Sequence, residues 1–193
     1  TLLGADDKAG VAEIMSLAEY FYNNPSKMRC NIVILFTPDE EIGKGTEYLD
    51  LEKLGADFAY SVDGGLLGSL EYENFNASSL SLTINGHSTH PGSAKGKMKN
   101  AIDLFSEFHS MLPNDERPAT TDGYEGFYMV SDIVGKVNKV NASYIIRDHD
   151  KAKFENKKSY IRQCVEKLNA KYGDDTFIAE IKDSYYNMKD IIN

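Results

Sequence analysis

The chain has 193 residues, 41% hydrophobic and 26% charged, with no run of about 20 apolar residues, a globular composition with room for one ordinary domain or two small ones and none for a membrane-spanning helix. Acidic residues outnumber basic ones by 30 to 21, a net charge of -9, which argues against a nucleic-acid footprint and against an anionic membrane surface. Two cysteines far apart, Cys30 and Cys164, make no disulfide framework, so the expected compartment is a reducing cytoplasm.

Thr1-Leu2-Leu3-Gly4 reads as the end of a strand with no initiator methionine, and a piece of a longer protein is expected. After Gly4-Ala5-Asp6-Asp7-Lys8-Ala9-Gly10, apolar residues at Val11, Ile14, Met15, Ala18 and Phe21 recur at helical spacing, and Asn23-Asn24-Pro25 ends that helix. Asn31 to Phe36 is apolar throughout, as in a strand covered on both faces of a parallel sheet. A short helix is predicted from about Thr46 to Lys53. Ala56 to Gly65 reads as another strand, one that delivers Asp63 at its C-terminal edge.

From about Ser79 the pattern changes to alternation, as in Ser79-Leu80-Ser81-Leu82-Thr83-Ile84-Asn85, typical of a sheet covered on one face. A loop rich in His, Ser, Gly and Pro leads to a helix carrying Met98, Ala101, Ile102, Phe105 and Phe108. Strands near Phe127 to Lys136 and Val140 to Arg147 follow, then a helix with Phe154, Ile161, Val165 and Leu168, and a strand near Thr176 to Lys182. The order β-α-β-β-α-β is the ferredoxin-like plan, an antiparallel sheet with two helices on one face.

The chemistry points to Thr37-Pro38-Asp39-Glu40-Glu41-Ile42-Gly43. Adjacent carboxylates at a strand end repel unless a cation or a proton intervenes, which makes a metal the first thing to look for. A hydrolytic zinc site needs carboxylate or imidazole ligands and one further carboxylate to take a proton from water, jobs that Glu40 and Glu41 could divide. Asp6 or Asp7, the Glu40-Glu41 pair and Asp63 give acids at three strand ends, where open α/β sheets place their chemistry. Each alone reads equally as a helix cap or a solvated turn. Of the four histidines, His109 lies on a helix face and reads as structural or exposed, His149 follows a strand end, and His87 and His90 lie in the glycine-rich loop. None accompanies the acids, and a zinc site of carboxylates alone is unusual.

These motifs resemble those of the two-zinc aminopeptidase family, which also contains aminoacylases and related carboxypeptidases. Gly4 to Gly10, Thr37 to Gly43 and Ser61-Val62-Asp63-Gly64-Gly65 match its successive metal-site motifs. His90-Pro91-Gly92 with Ala94-Lys95-Gly96, Tyr124-Glu125-Gly126-Phe127-Tyr128, Ile145-Ile146-Arg147-Asp148 and Asp183 to Met188 resemble its tripeptide-cleaving branch in particular. The resemblance implies two zinc ions, with Asp6 bridging them, Glu41 and Asp63 each binding one, and Glu40 as general base. Asp7 is the rival for the bridge, and the family's Asp-x-Lys pattern favours Asp6. His90 would hold the substrate or the developing oxyanion, Arg147 would face a substrate carboxylate, and His87 lies outside the shared pattern.

The implied architecture is α/β: a partial, mainly parallel catalytic sheet in residues 1–75, a ferredoxin-like lid in 76–186, and a return segment in 187–193. The implied activity is release of the N-terminal residue of short peptides. The family also takes a histidine and an aspartate from before Thr1 and a histidine from after Asn193, so this stretch alone is expected to be inactive, with a bare sheet edge or the lid open to self-association. Deacylation of amino acids by the same chemistry, or a non-catalytic interaction module built on the lid fold, are the alternatives.

Overall fold

The computed structural model describes residues 5–27 and 29–192, and the chain divides into two units, Thr1–Ser69 and Leu70–Asn193. In the first, helix α1 spans Ala5–Asn23, although Asp6 and Asp7 have non-helical backbone and the regular helix starts after them. It stops where the Asn24 side chain turns back to donate to the Tyr20 carbonyl at 2.8 Å, just ahead of Pro25. A single 3-10 turn, Glu40–Ile42, is bracketed by the left-handed residues Asp39 and Gly43. Helix α2 is one turn, Leu51–Leu54, capped by the Asp50 carboxylate on the Lys53 amide. The helix predicted from about Thr46 is therefore shorter: the Asp50 cap sets its start, and residues 44–49 form separate turns.

Residues 31–36 and 56–63, expected as buried strands of the parallel sheet, carry no sheet pairing here, and Ile32, Val33, Ile34, Leu35 and Phe36 are all exposed. A strand exists only through its neighbour's hydrogen bonds, and no ladder forms in this unit among the described residues. The strand expected at Thr1–Gly4 lies outside the described residues. Every buried apolar side chain among the described residues belongs to the second unit.

That unit follows the β-α-β-β-α-β order: β1 (Asn76–Asn85), α3 (Ala101–Met111), β2 (Phe127–Lys136), β3 (Lys139–Asp148), α4 (Lys151–Tyr172) and β4 (Phe177–Tyr185). The sheet order is β2-β3-β1-β4, antiparallel throughout, with β2 and β4 at the edges. Alternation along β1 buries Ser78, Leu80, Leu82 and Ile84 and turns Ser79 and Ser81 outward. The buried stripe packs on Leu104 and Phe108 of α3 and on Phe154, Ile161, Cys164 and Leu168 of α4. Side-chain caps by Asn100 and Asp150 start the two helices, so α3 begins at Ala101 and leaves Met98 in the preceding loop.

Candidate functional site

The acidic candidates all lie in the first unit. Asp7 Oδ1 accepts the Gly10 amide at 3.0 Å, which commits that carboxylate to the start of α1. Glu40 and Glu41 sit on the 3-10 turn with exposed side chains, beside a cavity of about 410 Å³ lined by Leu35, Thr37, Pro38, Asp39, Lys44 and Tyr48 among others. Asp63 is exposed, and its Oδ1 accepts the Gly64 amide at 2.6 Å. Asp6 is exposed as well. Among the described residues no three His, Cys, Asp or Glu side chains come together in an arrangement that could hold a metal ion. Asp6, Glu41 and Asp63 are thus not gathered, and a set of oxygen donors without nitrogen or sulfur does not by itself fit a zinc centre.

In the second unit, the loop between β1 and α3 is pinned at its base by Gly86. A Cβ there would come within 2.3 Å of the Val137 carbonyl and 2.5 Å of that of Lys99, so only glycine permits this backbone approach. His87 exchanges backbone hydrogen bonds with Lys99 and closes the loop, a structural task that leaves its side chain exposed. His90 starts the turn Pro91–Ser93, and its Nδ1 accepts the Gly92 amide at 3.1 Å. With Nδ1 an acceptor, the neutral ring carries its proton on Nε2 and presents that N–H outward as a donor.

Arg147, near the end of β3, is half-buried. One of its terminal nitrogens donates to the Ile146 carbonyl at 3.0 Å and the Ser78 carbonyl at 3.4 Å. The other histidines have packing roles. His109 bonds the Tyr144 hydroxyl at 2.9 Å, and burial, then the nearby Arg117 charge, pushes its pKa down. The His149 ring lies between Phe75 and Tyr124, with centroids 4.2 and 4.4 Å away.

Sequence reasoning missed the junction where the chain enters and leaves this unit. The Asn76 side chain donates to the carbonyls of Asp148 and His149 and accepts the Asn187 amide, while the Asn187 side-chain oxygen accepts the Asn74 amide and the Asn74 side-chain oxygen accepts the Met188 amide. Glu73 receives the Tyr124 hydroxyl and pairs with Lys189, and these two bonds hold its carboxyl below the usual range. The only sequence signal was that Tyr124 and Asn187 fall within two of the family-like motifs. Nothing local links residue 74 to residue 187.

An antiparallel sheet of this order with two helices on one face is the ferredoxin-like plan expected from the β-α-β-β-α-β pattern. Residues 72–176 match the peptidase dimerisation domain of the M20 group, and the chain belongs to that family. Among its curated relatives, the chain is 54% identical over 192 residues to peptidase T of Caldanaerobacter subterraneus and 56% identical over 192 residues to that of Clostridium perfringens, covering 100% of this chain and 47% of each relative. The chain thus spans about half the length of the curated relatives it matches. Among solved structures, a tripeptidase from Staphylococcus aureus aligns with TM-score 0.82 at 22% identity, over 97% of this chain and 50% of that one. An aminopeptidase PepT from Bacillus cereus aligns with TM-score 0.74 at 22% identity, over 96% and 50%. At that identity the two structures establish likeness of fold alone. Among the described residues no helix is long and apolar enough to cross a membrane.

Proposed function

We propose that this chain serves a tripeptide aminopeptidase that releases the N-terminal residue of short peptides in the cytoplasm. The observation that carries the reading is that the match to peptidase T, 54% and 56% identical over 192 residues, spans the acidic motifs of the first unit as well as the second unit. In this reading residues 1–75 belong to the catalytic domain and 76–186 form the lid. The cofactor in this reading is zinc, two ions, of whose ligands Asp6, Glu41 and Asp63 would be only a part, to be completed by nitrogen donors; once bound, such ions would supply Lewis-acid activation of water and carbonyl.

The chain's own residues then have distinct tasks. Glu40 takes a proton from the attacking water and passes it to the leaving amine. His90, through its outward Nε2–H, donates to the oxygen that gains charge in the tetrahedral state. Arg147 receives the carboxylate of the peptide. Self-association, the property named in the matched family, uses the lid and its open sheet edges β2 and β4.

Glu40→Gln in the full-length protein tests the central role. It should lower kcat by at least about 10²-fold, since the amide keeps the size of the side chain and cannot take the proton, with metal content unchanged. Loss of metal from that variant, read by elemental analysis, would make Glu40 a ligand instead. His90→Ala should reduce kcat while His87→Ala does little; equal small effects would remove His90 from the mechanism.

A further inference from the structure

On the sheet face turned away from α3 and α4, one row of directly paired residues runs Phe127 on β2, Arg147 on β3, Ala77 on β1 and Tyr185 on β4. Residues opposite one another in a sheet share a face, so these four side chains stand side by side. The Arg147 guanidinium carbon lies 5.5 Å from the centroid of the Tyr185 ring, so the side chain reaches across Ala77 on the intervening strand. Ala77 is fully covered although it lies on the open face, and its single methyl leaves room for the guanidinium above it.

The row depends on a bulge. From Ile84 opposite Phe177 to Ser78 opposite Asp183 the β1–β4 register is regular; continued, it would set Ser184 opposite Ala77 and turn Tyr185 to the helix face. One extra residue, Ser184, interrupts the ladder, and Tyr185 takes the place opposite Ala77. Because side chains alternate with a period of two, that single insertion moves the ring from one face of the sheet to the other. No carboxylate among the described residues lies within ion-pair distance of Arg147.

We propose that Tyr185, turned to this face by the Ser184 bulge, is the positioning residue for Arg147. Two backbone carbonyls hold one end of the guanidinium and the ring confines it, so its remaining N–H groups point in a set direction, ready for the planar, two-pronged grip of a carboxylate. The inference rests on the reading that Arg147 receives the peptide carboxylate, and it adds that the affinity of the grip depends on an aromatic ring two strands away.

The test uses the full-length protein with tri-leucine and with tri-leucine amide, which lacks the terminal charge. Arg147→Ala should raise KM for the acid far more than for the amide. Tyr185→Leu and Tyr185→Thr, both at a half-exposed edge position that tolerates either residue, should raise KM for tri-leucine about 5- to 10-fold, the loss of one cation–π contact, with kcat and the amide's KM nearly unchanged. Tyr185→Phe keeps the ring and should restore wild-type values for both substrates. If Arg147→Ala is selective and the Tyr185 variants are not, the positioning role is overturned and the role of Arg147 survives. If the Tyr185 variants impair both substrates equally, the ring only supports the strand and the proposal fails. If Arg147→Ala itself is unselective, the carboxylate reading falls and takes this inference with it.

Discussion

Gly126→Ala perturbs the point where the loop before β2 crosses the end of β3. An added Cβ would stand 2.0 Å from Oδ2 and 2.5 Å from Cγ of Asp148, and 2.6 Å from the Arg147 carbonyl oxygen. All three distances are far inside van der Waals contact. Asp148 has little freedom to yield: it is 2% exposed, its Oδ1 accepts the Asp150 amide at 3.0 Å, and its Oδ2 faces Lys157 Nζ at 3.6 Å. Moving the carboxylate or the loop strains both holds, and overpacking of this kind costs about 1–3 kcal/mol, here toward the upper end because a backbone carbonyl is also in the way. For a cooperative unit the size of Leu70–Asn193, each kcal/mol lowers the melting temperature by roughly 3–5 °C, so a fall of about 10 °C is expected. Thermal melts of the 193-residue chain by near-UV circular dichroism, which reads the tyrosines of this unit, would measure it. In an Asp148→Ala background the same glycine substitution should cost at least about 1 kcal/mol less, because half of the clash is gone while the Arg147 carbonyl remains. A melting temperature within 2 °C of wild type for Gly126→Ala would refute the packing argument, and strict additivity of the two changes would refute the assignment of Asp148 as the partner.

Asp183 accepts from Lys158 at 2.8 Å and from the Tyr186 hydroxyl at 2.6 Å, and these bonds hold its carboxyl below the usual range. A depressed pKa gives stability present above the unfolded value and lost as pH falls through the folded one, so melting temperature should drop below about pH 4 and Asp183→Asn should flatten that limb; an unchanged acid limb would count against it. Asn76→Ala removes the bonds to the Asp148 and His149 carbonyls and to the Asn187 amide in a buried site, leaving the His149 carbonyl only the long 3.5 Å bond from Asn187 Nδ2, which should cost about 2–3 kcal/mol in chemical denaturation, and a loss under 0.5 kcal/mol would mean the junction is slack. Cys164 is buried in the core with its thiol pKa pushed up by that burial, whereas Cys30 is exposed. One thiol should therefore react promptly with a disulfide reagent in the native chain and the second only on unfolding; two fast thiols would contradict the core packing.

The second unit was legible in the amino-acid pattern because its instructions are local. Alternation from Ser79 to Asn85 declares a sheet with one covered face, apolar residues three and four apart declare the two helices, and Asn100 and Asp150 mark their starts with side chains that bond amides two or three residues ahead. The family-like motifs also brought Glu40, His90 and Arg147 forward as candidates, since a string of residues carries chemical type without any knowledge of neighbours. Tertiary structure alone decided the rest. The run from Ile32 to Phe36 has the composition of a buried strand, yet it carries no ladder, because pairing is a property of two segments and a single one cannot supply it. Asn74 and Asn76 meet Asn187 across more than a hundred residues of chain. The place of Tyr185 beside Arg147 depends on one unpaired residue at Ser184: a period of two cannot announce its own interruption, and only the register against β1 determines which face of the sheet the ring occupies.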